Sequence, residues 1–155
     1  MSTIQLNHSK VSHLPLAVAI FIFLAMPAFG QVKNTKKLSR LPPPLRERLI
    51  QRLELFVQYD RAREYGKQFD LLSRSYLESN KFDREAYVEF KRKGIRGTLL
   101  EIKIYDVALH LKDNYVEIPA SAKTMYQGRV VDDSWNFTAH LRDGEWYFDY
   151  AWIDI

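Results

Sequence analysis

From Gly97 to Ile153 the chain reads in steps of two. In Trp135-Asn136-Phe137-Thr138-Ala139-His140-Leu141-Arg142 the odd positions are apolar and the even ones polar, the period of a strand with one buried face. Asp143-Gly144 follows, a hairpin signal because glycine accepts a positive φ. Trp146, Phe148, Tyr150 and Trp152 then share one face of the next strand. Between Thr98 and Leu111 the alternation changes phase: Leu100, Ile102 and Ile104 are apolar at even positions, then Tyr105, Val107, Leu109 and Leu111 at odd ones. A one-residue slip predicts a β-bulge, placed near Ile104 to Asp106. Tyr115 to Tyr126 is a further strand, in which Pro119 calls for a bulge or an edge position. Asp113-Asn114, Gln127-Gly128 and Asp132-Asp133 mark interruptions.

The half before Gly97 reads in steps of three and four. Leu45, Leu49, Leu53, Phe56 and Val57 form one apolar stripe, so a helix is predicted from Leu45 to about Arg63, with Pro44 in its first turn and Gly66 as its C-cap. A shorter helix follows over Gln68 to about Leu77, burying Phe69, Leu72 and Tyr76, and Ser79-Asn80-Lys81 is a loop. The third helix has Asp83 as N-cap, Glu85 in its first turn, Phe82 and Tyr87 placed for a hydrophobic staple, and Lys91-Arg92-Lys93-Gly94 as its end. The predicted class is α+β, with helices packed on the aromatic face of a curved, mostly antiparallel sheet.

The first 30 residues change the picture by giving the chain an address. Lys10 supplies a positive n-region, Leu14 to Met26 is an uncharged apolar run shorter than the ~20 residues that span a bilayer, and Ala28-Phe29-Gly30 offers small residues at a cleavage site. Residues 1–30 are therefore expected to be a signal peptide cleaved after Gly30; an uncleaved membrane anchor is the alternative. Either exports the rest, to the periplasm or outside a bacterium. Residues 31–44, with Lys33, Lys36, Lys37, Arg40 and Pro42-Pro43-Pro44, read as a basic, proline-rich linker, and 45–155 as one domain. No cysteine is present, which excludes disulfides, Cys-ligated zinc and thiol catalysis. The net charge is +4, from 23 basic and 19 acidic residues, and its excess sits largely between Lys33 and Arg48, the pattern of a solvated segment; no nucleic-acid partner is expected.

Three helices followed by a long bent sheet resembles the NTF2-like (cystatin-like α+β, SnoaL-type) superfamily. The likeness is carried by the Leu45–Arg63 helix, by Phe69-Asp70-Leu71-Leu72-Ser73-Arg74-Ser75-Tyr76, by Asp83-Arg84-Glu85-Ala86-Tyr87, and by Asp143-Gly144-Glu145-Trp146-Tyr147-Phe148. It implies a cone whose open end holds a pocket. Members include isomerases, dehydratases and hydrolases as well as binding domains, so the fold does not decide the function.

Asp60 continues the apolar stripe of the long helix. In such a pocket it is a candidate general base; otherwise it pairs with Arg61 or Arg63 at the end of the helix. Asp106 and His110 are four apart in one strand and either pair, carboxylate to imidazole, or both face solvent. His140 lies on the polar face of its strand, and Asp149 and Tyr147 raise the same choice between pocket and solvent. Tyr59, Tyr105, Trp135 and Tyr150 are candidate ligand contacts, set against a plain role in the core. Two histidines sit before Gln31 and two in the sheet region, and no phosphate loop, Gly-x-Ser-x-Gly or His-Glu-x-x-His occurs, so neither a metal site nor a cofactor is expected. Three functions fit: binding of a small, partly apolar ligand or a protein partner without catalysis; an isomerase or dehydratase using Asp60 or Asp106 with a tyrosine; or a homodimerising module that pairs through the sheet.

Overall fold

A computed structural model of the chain describes residues 31–93, 97–105, 107–110 and 113–153, with side chains up to Tyr150. The expected signal peptide over residues 1–30, Gly94, Asp106 and the side chain of Trp152 lie outside the described residues. The elements are, in order, β1 (Gln31–Lys33), a 3₁₀ turn (Thr35–Leu38), α1 (Pro43–Arg61), α2 (Tyr65–Phe69), α3 (Arg74–Ser79), α4 (Arg84–Arg92), β2 (Thr98–Ile104), β3 (Ala108–His110), β4 (Tyr115–Tyr126), β5 (Arg129–Arg142) and β6 (Glu145–Ile153). The class is α+β. The sheet runs β1-β2-β4-β5-β6, with β3 also on β4. It is mixed, because β1 lies parallel to β2 while the other pairs are antiparallel.

The stripe of α1 does what its spacing predicts: Leu49, Leu53, Phe56 and Val57 are wholly buried. The helix ends differently. Arg63 takes a left-handed conformation (φ 57°), its N–H donates to the Asp60 carbonyl, and the Glu64 N–H donates to the Tyr59 carbonyl at 2.8 Å. This is a Schellman cap with arginine where glycine is usual; Gly66, expected in that role, lies inside α2. The single helix expected over Gln68–Leu77 is two. Its middle hydrogen-bonds to β6 instead: the Phe148 N–H donates to the Leu71 carbonyl and the Ser73 N–H to the Phe148 carbonyl, each at 2.9 Å. Those bonds cover backbone groups of the edge strand β6, and they take the place of about one more turn of helix over residues 70–73. Ser73 then restarts the chain as the N-cap of α3, accepting from the Tyr76 N–H at 3.0 Å. In α4, Asp83 accepts from the Ala86 N–H at 2.8 Å, and Phe82 meets Tyr87 edge-on at 5.6 Å, which is the predicted cap and staple.

The phase slip after Ile104 is a bulge. Ile104 faces Ala120 and Ala108 faces Glu117, so four steps on one strand (104 to 108) match three on the other (120 to 117). Pro119 sits opposite it, with its carbonyl accepting the Tyr105 N–H at 2.9 Å. A second register shift, between Leu99 and Glu101, has no such signature in the sequence. The interruption expected at Asp132-Asp133 is absent, because β4 pairs with β5 without a break from Tyr126↔Arg129 to Tyr115↔His140. Both hairpin turns, Gln127-Gly128 and Asp143-Gly144, have two successive positive φ values, as type I′ turns require.

Residues 31–44 are more than a linker. Gln31–Lys33 joins the sheet, and Leu38 and Leu41 are buried in the core. Their basic neighbours point outward, and composition hid two apolar anchors spaced like the face of a turn. The core forms where α1 crosses the aromatic strands. Phe56 meets Phe137, Phe148 and Tyr150 edge-on at 5.8, 5.9 and 5.3 Å, and the Trp146 Nε1–H donates to the Leu45 carbonyl at 2.9 Å. Replacing Phe56 by Ala removes the hub of this cluster. It is expected to cost about 3–5 kcal/mol, read as a lowered urea midpoint with the slope unchanged.

Candidate functional site

Two polar constellations stand out. The first is buried at the crossing of α1, α2, α4 and β2. Asp60 is 1% exposed. Its Oδ2 accepts the Leu99 N–H at 2.6 Å, its Oδ1 accepts Gln68 Nε2–H at 3.1 Å, and Lys91 Nζ pairs with the same Oδ1. Gln68 also donates to the Phe56 carbonyl at 3.2 Å and accepts from Tyr87 Oη at 2.8 Å, and Tyr87 Oη lies 3.4 Å from Tyr150 Oη. Loss of hydration in the core pushes the phenols of Tyr87 and Tyr150 well above the ordinary value of 10.0. The Asp60 carboxylate accepts from three donors of the fold and is closed off from solvent, so it is not open to a ligand. Its charge partner is Lys91, not Arg61 or Arg63, so neither expectation for this residue holds; the left-handed cap turns the backbone away before Arg63 can fold back onto it.

The second constellation lines a cleft of ≈ 470 Å³ between the start of α3 and the β5–β6 hairpin. Leu72, Leu77 and Tyr147 form its apolar wall, Ser73, Ser75 and His140 its polar groups, with Arg74, Arg142 and Asp143 also lining it. Tyr147 is opposite His140 in the sheet and Asp149 opposite Thr138. His140 and Asp149 are thus diagonal neighbours on one face, and His140 Nε2 lies 3.0 Å from Asp149 Oδ2. The other carboxylate oxygen accepts from Ser73 Oγ, which lies 2.8 Å from Ser75 Oγ. The order along this chain of contacts is serine, aspartate, histidine. In nucleophilic serine catalysis the imidazole stands between hydroxyl and carboxylate; here the carboxylate stands in the middle. Ser73 Oγ is moreover occupied as a helix cap and buried. The arrangement fixes an imidazole and a serine pair against an apolar wall, which suits holding a ligand by hydrogen bonds.

The other candidates are dispersed. His110 stacks on Tyr115 at 4.4 Å, and its Nε2 is 3.6 Å from Glu117 Oε2, which is its acidic neighbour among the described residues; Asp106 lies outside them. Of the four aromatic ligand candidates, Trp135 and Tyr150 stack on each other at 5.4 Å within the core, Tyr59 lies beneath Lys67, and Tyr105 is exposed on the far part of the sheet. Among the described residues they do not converge on one place, and the face carrying Trp135 and Tyr150 is filled by Phe56. For the same reason those two side chains are not an exposed face for pairing. No group of three or more His, Asp or Glu suited to a metal ion occurs among the described residues, and no helix among them is long and apolar enough to cross a membrane.

Sequence reasoning did not single out Ser73, Ser75, Gln68 or Lys91. Ser73 had a local signal, a serine three residues before Tyr76 at a possible N-cap, obscured by the apolar periodicity running through Leu71-Leu72. Asp60–Lys91 is a long-range pair and leaves no local trace.

The fold is similar to the solution structure of a SEC-C motif containing protein from Rhodopseudomonas palustris, with a TM-score of 0.52 and 12% sequence identity over 76% of this chain and 87% of that one. At that identity the likeness is one of fold. No protein-family model matches the chain, and no curated protein matches it. The expected membership of the NTF2-like superfamily is corrected by this finding. The order of helices before sheet, on which that expectation rested, is shared among α+β folds, and the interior meant to hold a cone-shaped pocket is packed with Phe56, Phe137, Phe148 and Tyr150.

Asp60→Ala strands the Lys91 ammonium and the Leu99 N–H in the core, and is expected to cost about 3–5 kcal/mol in urea denaturation. Alkaline titration gives an independent check. The unfolded chain releases the protons of Tyr87 and Tyr150 near pH ~10 and the folded chain does not, so their stabilisation is present below that pH and lost above it. Tyrosinate absorbance of the nine tyrosines should fall short by these two until the far-ultraviolet circular dichroism collapses. A full titration with the dichroism intact would show the phenols to be accessible.

Proposed function

We propose that this chain is an exported binding module, non-catalytic, that holds a small, partly apolar molecule in the cleft between α3 and the β5–β6 hairpin. The observation that carries the reading is the Asp149 carboxylate held between Ser73 Oγ and His140 Nε2 beside the apolar wall of Leu72, Leu77 and Tyr147. Such a site pre-orients its polar groups before a ligand arrives, which lowers the ordering cost of binding. Export is supported by the n-region, apolar run and small-residue cleavage pattern of the first 30 residues. The isomerase or dehydratase reading draws no support from Asp60, whose carboxylate is buried and paired with Lys91.

The test is native mass spectrometry of the full chain expressed in a bacterium and purified from its periplasm, beside Ser75→Trp and His140→Ala. Ser75 is exposed and lines the cleft, so tryptophan fills the space without disturbing the core. The expected result is a mass beginning at Gln31, a reproducible small-molecule adduct on the wild type, and its loss in Ser75→Trp. A wild type without adduct, or an adduct indifferent to both substitutions, overturns the assignment of the cleft. Turnover of the released molecule overturns the non-catalytic part.

A further inference from the structure

We propose that the end of the fold around the β4–β5 turn docks on an anionic phospholipid surface. Three independent features meet there. The first is a groove of ≈ 810 Å³ beside that turn, lined by Arg63, Lys91, Arg92 and Lys93 with Tyr65 and Tyr126, and by no acidic residue among the described ones. Lys91 turns inward to Asp60 and Lys93 lies 3.0 Å from the exposed Glu89. Arg63 and Arg92 have no acidic partner among the described residues. Arg63 is delivered to this groove by the left-handed cap of α1, and Arg92 and Lys93 by the end of α4.

The second feature is apolar. Met125, Tyr126, Val130 and Val131 flank the Gln127-Gly128 turn and are 38, 39, 54 and 37% exposed. Met125 and Val130 are partners across the hairpin, as are Thr124 and Val131, so the two valines point to opposite faces of the tip. The β5–β6 pairing begins only at Ser134↔Ile153, which leaves 129–133 without a β6 partner among the described residues. Cations that attract phosphate, beside a small apolar tip that enters the headgroup region, are the two ingredients of peripheral attachment to a charged bilayer. A nucleic acid would use the cations and leave the valines in water.

The third feature is the direction of β1. It runs parallel to β2 with Gln31 opposite Glu101, so its N-terminal end points toward Thr98, which is itself paired with Met125. The chain therefore enters the fold at the end that carries the groove and the tip. The sequence before Gln31 includes the uncharged run Leu14 to Met26. A retained run would tether this end toward the bilayer, and the cations and valines act whether or not it is retained.

The test is co-sedimentation of the full chain with vesicles of phosphatidylcholine alone or mixed with phosphatidylglycerol, at low and raised salt, beside Arg63→Glu/Arg92→Glu and Val130→Ser/Val131→Ser, each checked for folding by circular dichroism. Partitioning is expected to favour the phosphatidylglycerol vesicles, to weaken with salt, and to fall about 25-fold or more in the arginine variant, at about 5-fold for each basic side chain near an anionic surface. The valine variant should also bind more weakly. Equal binding to both vesicle compositions, or binding unchanged in either variant, overturns the proposal. So does tight binding of a single-stranded oligonucleotide, indifferent to the valine variant, in the absence of vesicle binding.

Discussion

A single carboxylate holds the two halves of this fold together. Asp60 sits at the last turn of α1 and reaches a side chain of α2, the terminal ammonium of α4 and the backbone of β2 at once. Burying a charge is costly unless its neighbours replace the water it gives up. Here they do, and the replacement is what fixes the placement of the two helices. α2 is five residues long and α4 nine, too short to be stable alone. Their positions are set by where Gln68 and Lys91 must go to complete the shell around Asp60. The phenols of Tyr87 and Tyr150 extend the same shell toward β6, so helices and sheet are joined by directional bonds as well as by packing.

The elements whose signal is local were legible in the sequence. The α1 stripe, the Asp83 cap with its Phe82–Tyr87 staple, the Asp143-Gly144 hairpin turn, the interruption at Gln127-Gly128 and the alternation of β5 each rest on residues within a few positions of one another. The bulge after Ile104 was readable too, because a slip in register changes which residues alternate. What failed depended on distant partners. The break between α2 and α3 exists because β6 offers backbone bonds to residues 71–73, and the apolar pattern of those residues fits either outcome. Leu38 and Leu41 sit among lysines and prolines, and nothing local says that they will be buried in the core.

The candidate residues divide along the same line. His140 and Asp149 could be placed on polar strand faces, but their contact depends on the pairing register of β5 and β6, and the serine that completes it comes from a helix cap more than seventy positions earlier. Asp60 stands on the apolar face of α1. That position did signal burial. The environment of the site then made it a structural ion, since a carboxylate becomes a chemical tool only where a guest can reach it, and Asp60 is closed in by α2, α4 and β2.

The three residues of β1 carry a consequence of another kind. A strand this short buries almost nothing, yet it lies along the outer side of β2, whose backbone would otherwise present open donors and acceptors to any passing chain. Lys33, ion-paired with Glu101, puts charge on that rim, and the buried Leu38 and Leu41 hold the whole flap in place. The segment that reads as a linker therefore covers part of a sheet edge. It occupies the side of β2 at Glu101–Lys103 and places a charged, three-residue strand at that end of the sheet.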